Sequence, residues 1–322
     1  MPVDLRVALG QLELANPVLV AAGTFGYGLE FPRSAHVDQL GGIITKTLTL
    51  VPRQGNPPPR LVETPSGMLN AVGLQNVGLD VFLNEKLPQF VQLQVPVIVS
   101  ILGESPGEIE TMCARLDAES GVAAIELNLS CPNLRNGAES NPQPRAPHSE
   151  FRTSLMVAQD PDETFVRVAS ARQRTTKPLI AKLSPDVTDI RPIAQAAERA
   201  GADALSLVNT FTGMSLDPQA RRSRLGSLTG GLGGPAIRPL AVYRVWMVRQ
   251  AVQCPIIGIG GIVKAEEAVE FFLAGATAVA IGTANFTRPD AAWSVVKGLR
   301  RYLKQEGLQT IRGLIGAFKP LG

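Results

Sequence analysis

The sequence predicts an α/β chain folded as a (β/α)8 TIM barrel, with an N-terminal β-hairpin and long top-face βα loops. Three observations carry that expectation. Eight short apolar, β-branched runs recur along the 322 residues. They are near-continuous rather than alternating, as strands of a parallel sheet buried on both faces are. Amphipathic segments separate most of them, and eight such strand–helix units suit a closed barrel.

Taken in order, LRVALGQLELAN (5–16) reads as a hairpin turning at Gly10 and Gln11, placed to plug the barrel bottom. The eight strand candidates follow: VLVAAG (18–23), GGIITKTLT (41–49), PVIVSIL (96–102), AAIELNLS (123–130), PLIAKLS (178–184), ALSLVNT (204–210), PIIGIGG (255–261) and AVAIGTAN (278–285). SPGEIETMCARLDAES (105–120) and DIRPIAQAAERAGA (189–202) are clear amphipathic helices, the second stopping at Gly201. Three connections, 50–75, 131–159 and 211–235, are too long for simple turns, and each follows a strand. In a barrel these are the top-face loops that build active sites. The first carries Pro57, Pro58 and Pro59, a stiff extended stretch. The second, rich in Pro, Asn and Ser, is expected to be mobile. No linker divides the chain, so one domain over residues 1–322 is expected.

Composition narrows the function. Hydrophobic residues make up 45% and charged residues 18%, enough for a large core and too apolar for global disorder. A formal charge of +3 is a weak bias at this length and does not argue for nucleic acid. The densest basic cluster, Arg221, Arg222 and Arg224, reads either as a solvated loop or as a contact to an acidic partner. Cys113, Cys131 and Cys254 are far apart, with no CxxC pair, and His36 and His148 are the only histidines. No metal site is expected, and a Ser/His/Asp triad has little material. The opening MPVDLRVALG lacks a signal-peptide core, and no apolar run approaches the roughly 18 residues of a membrane helix. A soluble, reduced, cytoplasmic protein is the expectation.

The candidate chemistry gathers at strand ends. The ends of the seventh and eighth strands give Gly258, Gly260 and Gly261, then Gly282 and Thr283. Glycine lets backbone N–H groups approach a phosphate, and barrels often bind phosphate at these two loops; the plainer alternative is a pair of tight turns. Lys46, Asn128, Lys182 and Asn209 sit where apolar core would be expected. Two lysines facing one mouth call for an anionic ligand or an electron-rich ring, unless each snorkels to the rim. Asn70 adds an amide, and amides read planar groups that carry donors and acceptors together. Cys131, in ELNLSCPN (126–133), lies at a strand end near these cations, where a thiolate can take a proton. As an isolated residue it would be core packing, the reading given to Cys113 and Cys254.

The segments NPVLVAAGTFGYG, TKTLTLVPRQGNPPPRLVETPSGMLNAVGLQNVGLD, ELNLSCPN, KLSPDVTDI, AGADALSLVNT, TGGLGGPAIRP, GIGGI and GTANF together resemble the class 1 dihydroorotate dehydrogenases over nearly the whole chain. SPDVTDI, NTFTGMSLD and GGLGGPAI look like the NAD-linked subclass, 1B. The resemblance implies an FMN-dependent enzyme of pyrimidine (UMP) biosynthesis that oxidises dihydroorotate to orotate. It implies FMN phosphate on Gly260, Gly261, Gly282 and Thr283. Ala22, Lys46, Thr47, Ser100, Asn128, Lys182, Val208 and Gly234 would surround the flavin. Substrate would be held by Lys46, by Asn70, Ala71, Val72, Gly73 and Leu74, and by Asn128, Asn133, Asn209 and Thr210. Cys131 would be the base. It further implies a homodimer of catalytic subunits, each with a partner subunit carrying FAD and an iron–sulfur cluster that passes electrons to NAD. Three scattered cysteines cannot hold such a cluster, and no GxGxxG follows an early strand, so the partner would supply both. The sequence departs from the family pattern in a longer, proline-rich loop after Asn133, in Ala22 where serine is common, and in Ser100 where asparagine is common.

Three rival readings remain at this stage. One is an FMN-dependent dihydropyrimidine dehydrogenase. Another is a flavin-free phosphate-binding barrel, such as a Schiff-base aldolase using Lys182. The third is a flavin-binding scaffold without turnover.

Overall fold

The computed structural model describes residues 3–27, 30, 32–129 and 157–319. Cys131, Asn133 and the proline-rich loop up to residue 156 lie outside the described residues. Eight parallel strands close a barrel: Val18–Val20 (β1), Gly42–Ile44 (β2), Val97–Ile101 (β3), Ala124–Asn128 (β4), Leu179–Lys182 (β5), Ala204–Leu207 (β6), Ile256–Ile259 (β7) and Ala278–Ile281 (β8). Each expected run contains one strand, and every strand pairs with its neighbours in chain order, β8 with β1 included. All eight are buried along their whole length, which is why their sequences read as unbroken apolar runs.

Helices Pro106–Asp117, Pro161–Arg172, Arg191–Arg199, Arg238–Arg249, Ala265–Leu273 and Ala291–Gln305 cover the outside. Two starts show the local logic. Ser105 accepts a hydrogen bond from the Glu108 N–H, with Pro106 in the first turn; Asp160 caps Asp162 and Glu163, with Pro161 next to it. The helix expected to stop at Gly201 ends at Arg199, and Gly201 takes φ +100° where the chain turns under the Arg172 side chain.

The hairpin Val7–Leu9 and Leu12–Leu14 turns at Gly10 and Gln11, as expected. Gly10 has φ +61°, and a Cβ there would meet the Asp203 Cβ at 2.9 Å. The turn therefore rests against the residue just before β6, at the strands' N-terminal end. Asp203 also accepts the Leu179 N–H and pairs with Arg172, both at 2.8 Å, and Arg172 donates to the carbonyls of Thr175 and Lys177.

The two described long connections differ from expectation. They are not loops alone. Leu61–Thr64 and Gly67–Asn70 from the first, with Phe211–Gly213 and Gly230–Gly233 from the second, form one four-stranded antiparallel sheet. Leu216–Asp217 and Arg222–Ser223 form a separate two-stranded hairpin, so Arg222 of the basic cluster lies in a strand, exposed like Arg221 and Arg224. These strands escape sequence reading because their glycines carry no apolar signal, and their apolar core is only Leu69, Ala71 and Leu225 with Val62 and Leu232 against it.

Asp203 ties the bottom of the barrel to a helix end and a strand start. Asp203→Ala leaves a backbone N–H and a guanidinium short of their acceptor, and is expected to destabilise the fold by about 1–3 kcal/mol. Urea unfolding of the two proteins checks this; an unchanged midpoint would remove the anchor role.

Candidate functional site

The barrel mouth opens into a cavity at the strands' C-terminal ends. Its floor is made by strand ends. β4 delivers Asn128, β5 delivers Lys182, and the register sets these two side by side. The turn after β2 delivers Lys46 and Thr47, and the stretch after β6 delivers Asn209 and Thr210. The roof is the antiparallel sheet: Leu61, Met68 and Asn70 line the cavity, followed by Val72, Gly73 and Leu74. Ala22, Gly23 and Thr24 close one side, with Thr283 and Phe286.

The roof segment is held in an unusual backbone shape. Gly73 and Leu74 are both left-handed, φ +73° and +55°. Asn76, buried, fixes them: its side-chain amide donates to the Leu74 carbonyl at 2.8 Å and to Thr49 Oγ1 at 2.9 Å, while its oxygen accepts from the N–H groups of Thr49 and Gly78. Asn70 Nδ2 donates to the Gly231 carbonyl at 3.0 Å, and a Cβ on Gly231 would collide with the Thr210 side chain. Gly231 thus lets the roof come down onto Thr210.

Beneath the floor lies a buried polar network. Glu126, two residues before Asn128 on β4, is fully buried. Its Oε1 accepts from Ser100 Oγ at 3.0 Å, and its Oε2 from Ser206 Oγ at 2.9 Å. Ser100 Oγ lies 2.9 Å from Thr47 Oγ1, which accepts from Asn128 Nδ2 at 3.3 Å. Lys182 Nζ stands 3.9 Å from Glu126 Oε1, its side chain 6% exposed. Lys46 is less buried. Burial pushes its ammonium below the ordinary lysine range, Arg60 adds to that push, and Glu30 opposes it.

The expected site residues divide cleanly. Ala22, Lys46, Thr47, Asn70, Val72, Gly73, Leu74, Asn128, Lys182, Asn209, Thr210 and Thr283 all line this one cavity. Ser100 and Val208 are buried below its surface, and Ala71 is buried inside the roof sheet. Gly234, Gly260, Gly261 and Gly282 belong to loops at the end of β7, after β8 and after the roof strand Gly230–Gly233. There a Cβ on Gly261 would meet the Gly234 carbonyl at 2.8 Å, one on Gly233 would meet Thr283 Oγ1 at 2.8 Å, and one on Gly234 would lie 3.5 Å from Thr283 Cγ2. Glycine at 233, 234 and 261 permits these approaches, which leaves a glycine-lined cradle beside Thr283. Glu126 and Ser206 were missed by sequence reading. The signal was present: on a strand, Glu126 shares a face with Asn128.

Cys113 lies buried in the helix Pro106–Asp117, and Cys254 lies half-buried before β7. Burial pushes both thiols up to about 12, with Glu198 adding to the effect at Cys254. No cluster of three His, Cys, Asp or Glu able to hold a metal occurs among the described residues. Nor is any helix among them long and apolar enough to cross a membrane.

Fold and cavity together define a barrel whose mouth suits a flat anionic ligand, with two cations and three amides at the floor and roof and a glycine cradle at the rim. Comparison with known proteins narrows this. The family model described as dihydroorotate dehydrogenase matches residues 4–303. The dihydroorotate dehydrogenase B (NAD(+)) catalytic subunits of Geotalea uraniireducens (strain Rf4) and Geotalea daltonii are 48% and 49% identical to the chain, each comparison covering 98% of both chains. That of Pelobacter propionicus is 47% identical, over 99% of this chain and all of its own. A crystal structure of DHODH from Eimeria tenella, in complex with ferulenol, superposes with a TM-score of 0.77 at 24% identity, over 98% of this chain and 88% of that one, and so supports the fold. The chain belongs to the dihydroorotate dehydrogenase family.

The thiol environments carry a prediction. At neutral pH, alkylation of Cys113 and Cys254 in the folded protein is expected to run at least about 10²-fold slower than for an exposed thiol, because so little thiolate forms. Peptide mapping after a timed iodoacetamide pulse reads this; rapid labelling of either residue contradicts it.

Proposed function

We propose that this chain is the catalytic subunit of an NAD-linked (class 1B) dihydroorotate dehydrogenase, oxidising (S)-dihydroorotate to orotate with FMN in cytoplasmic pyrimidine synthesis. The observation that carries the proposal is the convergence of Lys46, Lys182, Asn70, Asn128 and Asn209 on one cavity beside a glycine cradle. The support from relatives is their shared name over nearly the full chain.

The donor set fits FMN. Gly260, Gly261, Gly282 and Thr283 would hold its phosphate through backbone N–H groups and the Thr283 hydroxyl. Ala22, Lys46, Thr47, Asn128 and Lys182 would flank its ring, with Val208 and Gly234 packing around it and Ser100 acting from below through Thr47. Bound FMN would supply the acceptor for the substrate's C6 hydride.

The chain's own residues would do the rest. Lys46 would pair with the substrate carboxylate. Asn70, Asn128, Asn133 and Asn209 would present amides to the flat ring, and Thr210 with the segment Ala71–Leu74 would close over it, so that its C6 is aligned before reaction. Cys131 would take the C5 proton as thiolate. Lys182 would meet the negative charge that develops on reduction. In this reading the family's homodimer and its FAD and iron–sulfur partner subunit carry the electrons on to NAD.

Anaerobic mixing with dihydroorotate tests this. The purified chain is expected to be yellow and to bleach on adding substrate, to pass few electrons to NAD alone, and to bleach about 10²–10⁴-fold more slowly as Cys131→Ala. A flavin that stays oxidised would overturn the assignment.

Lys46 gives a pH dependence. Its charged form is penalised in the free site, so its proton leaves below the ordinary lysine value of 10.5. A carboxylate ligand is held fully below that transition and released as pH rises through it. Orotate affinity, followed by the flavin spectrum, is expected to fall up to about tenfold per pH unit above the transition. In Lys46→Arg the dependence disappears, because guanidinium stays charged. Native binding that is flat up to pH 10.5 would remove Lys46 as the carboxylate partner.

A further inference from the structure

The reaction proposed above uses Lys182 and assigns nothing to the carboxylate beneath it. Barrel interiors are ordinarily filled by layers of Val, Ile and Leu. Here one position holds Glu126, fully buried, with a hydroxyl on each oxygen and the Lys182 ammonium 3.9 Å from Oε1. That gap is too long for a hydrogen bond and close enough for strong attraction in a buried site. Lys182 also lines the cavity, so it stands between the carboxylate and any ligand there.

The hydroxyl network has one direction. Ser100 has a single hydroxyl proton and gives it to Glu126, so Thr47 must donate to Ser100, and Asn128 in turn donates to Thr47. Ser100 and Ser206 both donate to Glu126, so each of its oxygens has a hydroxyl partner. The groups facing Lys182 from the flanking strands include neutral Asn128 on β4 and Ser206 on β6. Lys46 lines the same cavity as a second cation. Among the described residues, Glu126 is the acidic group within ion-pair distance of Lys182.

We infer that Glu126 is a positioning residue for the redox step, an ionised, hydroxyl-tethered counter-ion that keeps the Lys182 ammonium charged and in place before the flavin is reduced. The inference rests on the FMN reading above. Its consequence is a proton count. Two electrons convert neutral oxidised flavin to its anionic reduced form with uptake of one proton, provided the stabilising cation is already charged. Without Glu126, an ammonium buried beside neutral flavin is uncompensated and gives up its proton. It regains that proton when the flavin becomes anionic, so two protons then accompany two electrons.

The experiment is electrochemical titration of the flavin-loaded protein through mediators, with the midpoint potential followed against pH. The electrode supplies the electrons, so dihydroorotate turnover is not needed. Native protein is expected to take up one proton per electron pair. Glu126→Gln is expected to double the slope, and the double variant Glu126→Gln/Lys182→Met to return it to one. A native slope retained in Glu126→Gln, with only a shifted potential, overturns the inference. So does a doubled slope that survives loss of Lys182. If Glu126→Gln does not retain flavin, Glu126→Asp, which draws the charge back by one methylene, is expected to show uptake between one and two, and the native value there overturns the inference. Failure of the parent reading looks different: native protein that binds no flavin, or flavin that dihydroorotate never bleaches.

Discussion

A carboxylate inside a closed barrel is costly unless each oxygen is met, and the site depends on how Glu126 is met. Ser100, Ser206 and Lys182 reach it from β3, β6 and β5, so three strands must hold their register for one group to be satisfied. A slip of one residue in any of them would turn the needed side chain toward the helices and leave a buried charge with too few partners. The requirement that stabilises the register also fixes what faces the mouth. Asn128 follows Glu126 by two residues and donates into the same network through Thr47, so its amide orientation is decided from below.

The roof is built by a different principle. Its sheet draws strands from two excursions that leave the barrel after β2 and β6, and Asn70 joins them through the Gly231 carbonyl. The roof buries few apolar side chains, and its geometry comes from glycines and amides: Gly73 and Leu74 bent by Asn76, and Gly231 seated on Thr210. Asp186, in the loop after β5, accepts from both the N–H and the hydroxyl of Thr212, tying a roof strand to the barrel. The floor thus supplies charge from rigid strands, and the roof supplies shape from a thinner element, which suits a site that must admit and enclose a flat ligand.

The barrel was legible because each strand is buried on both faces, and burial writes itself as an apolar run. All eight strands fell inside the runs read for them, and the hairpin turned at its expected residues. Lys46, Lys182, Asn128 and Asn209 were legible for the opposite reason: polar groups at the ends of apolar runs are conspicuous. The roof was not, since TGGLGG carries no periodic signal and its partner strand is remote in sequence. Glu126 was overlooked although it opens the stretch that drew attention to Cys131. An isolated glutamate looks like a surface residue, and only the alternation that pairs it with Asn128 sends it inward. Its partners, Ser100 and Ser206, are small residues whose importance lies entirely in whom they face. Cys131 and Asn133 lie outside the described residues, so the base and one amide rest on sequence resemblance.

The same carboxylate bears on which chemistry the cavity suits. A Schiff-base lysine must present a neutral amine, and a site that wants one surrounds it with apolar groups or a second cation. Lys182 shares its cavity with Lys46 but also has an acidic neighbour, Glu126, whose two oxygens accept from Ser100 and Ser206. A fixed positive charge at the floor of a mouth has little use in attacking a carbonyl. It has an obvious use where negative charge arrives late, on a ring that gains electrons. Under the function proposed for this chain, the lysine would serve as a stabiliser of reduced flavin rather than as a nucleophile.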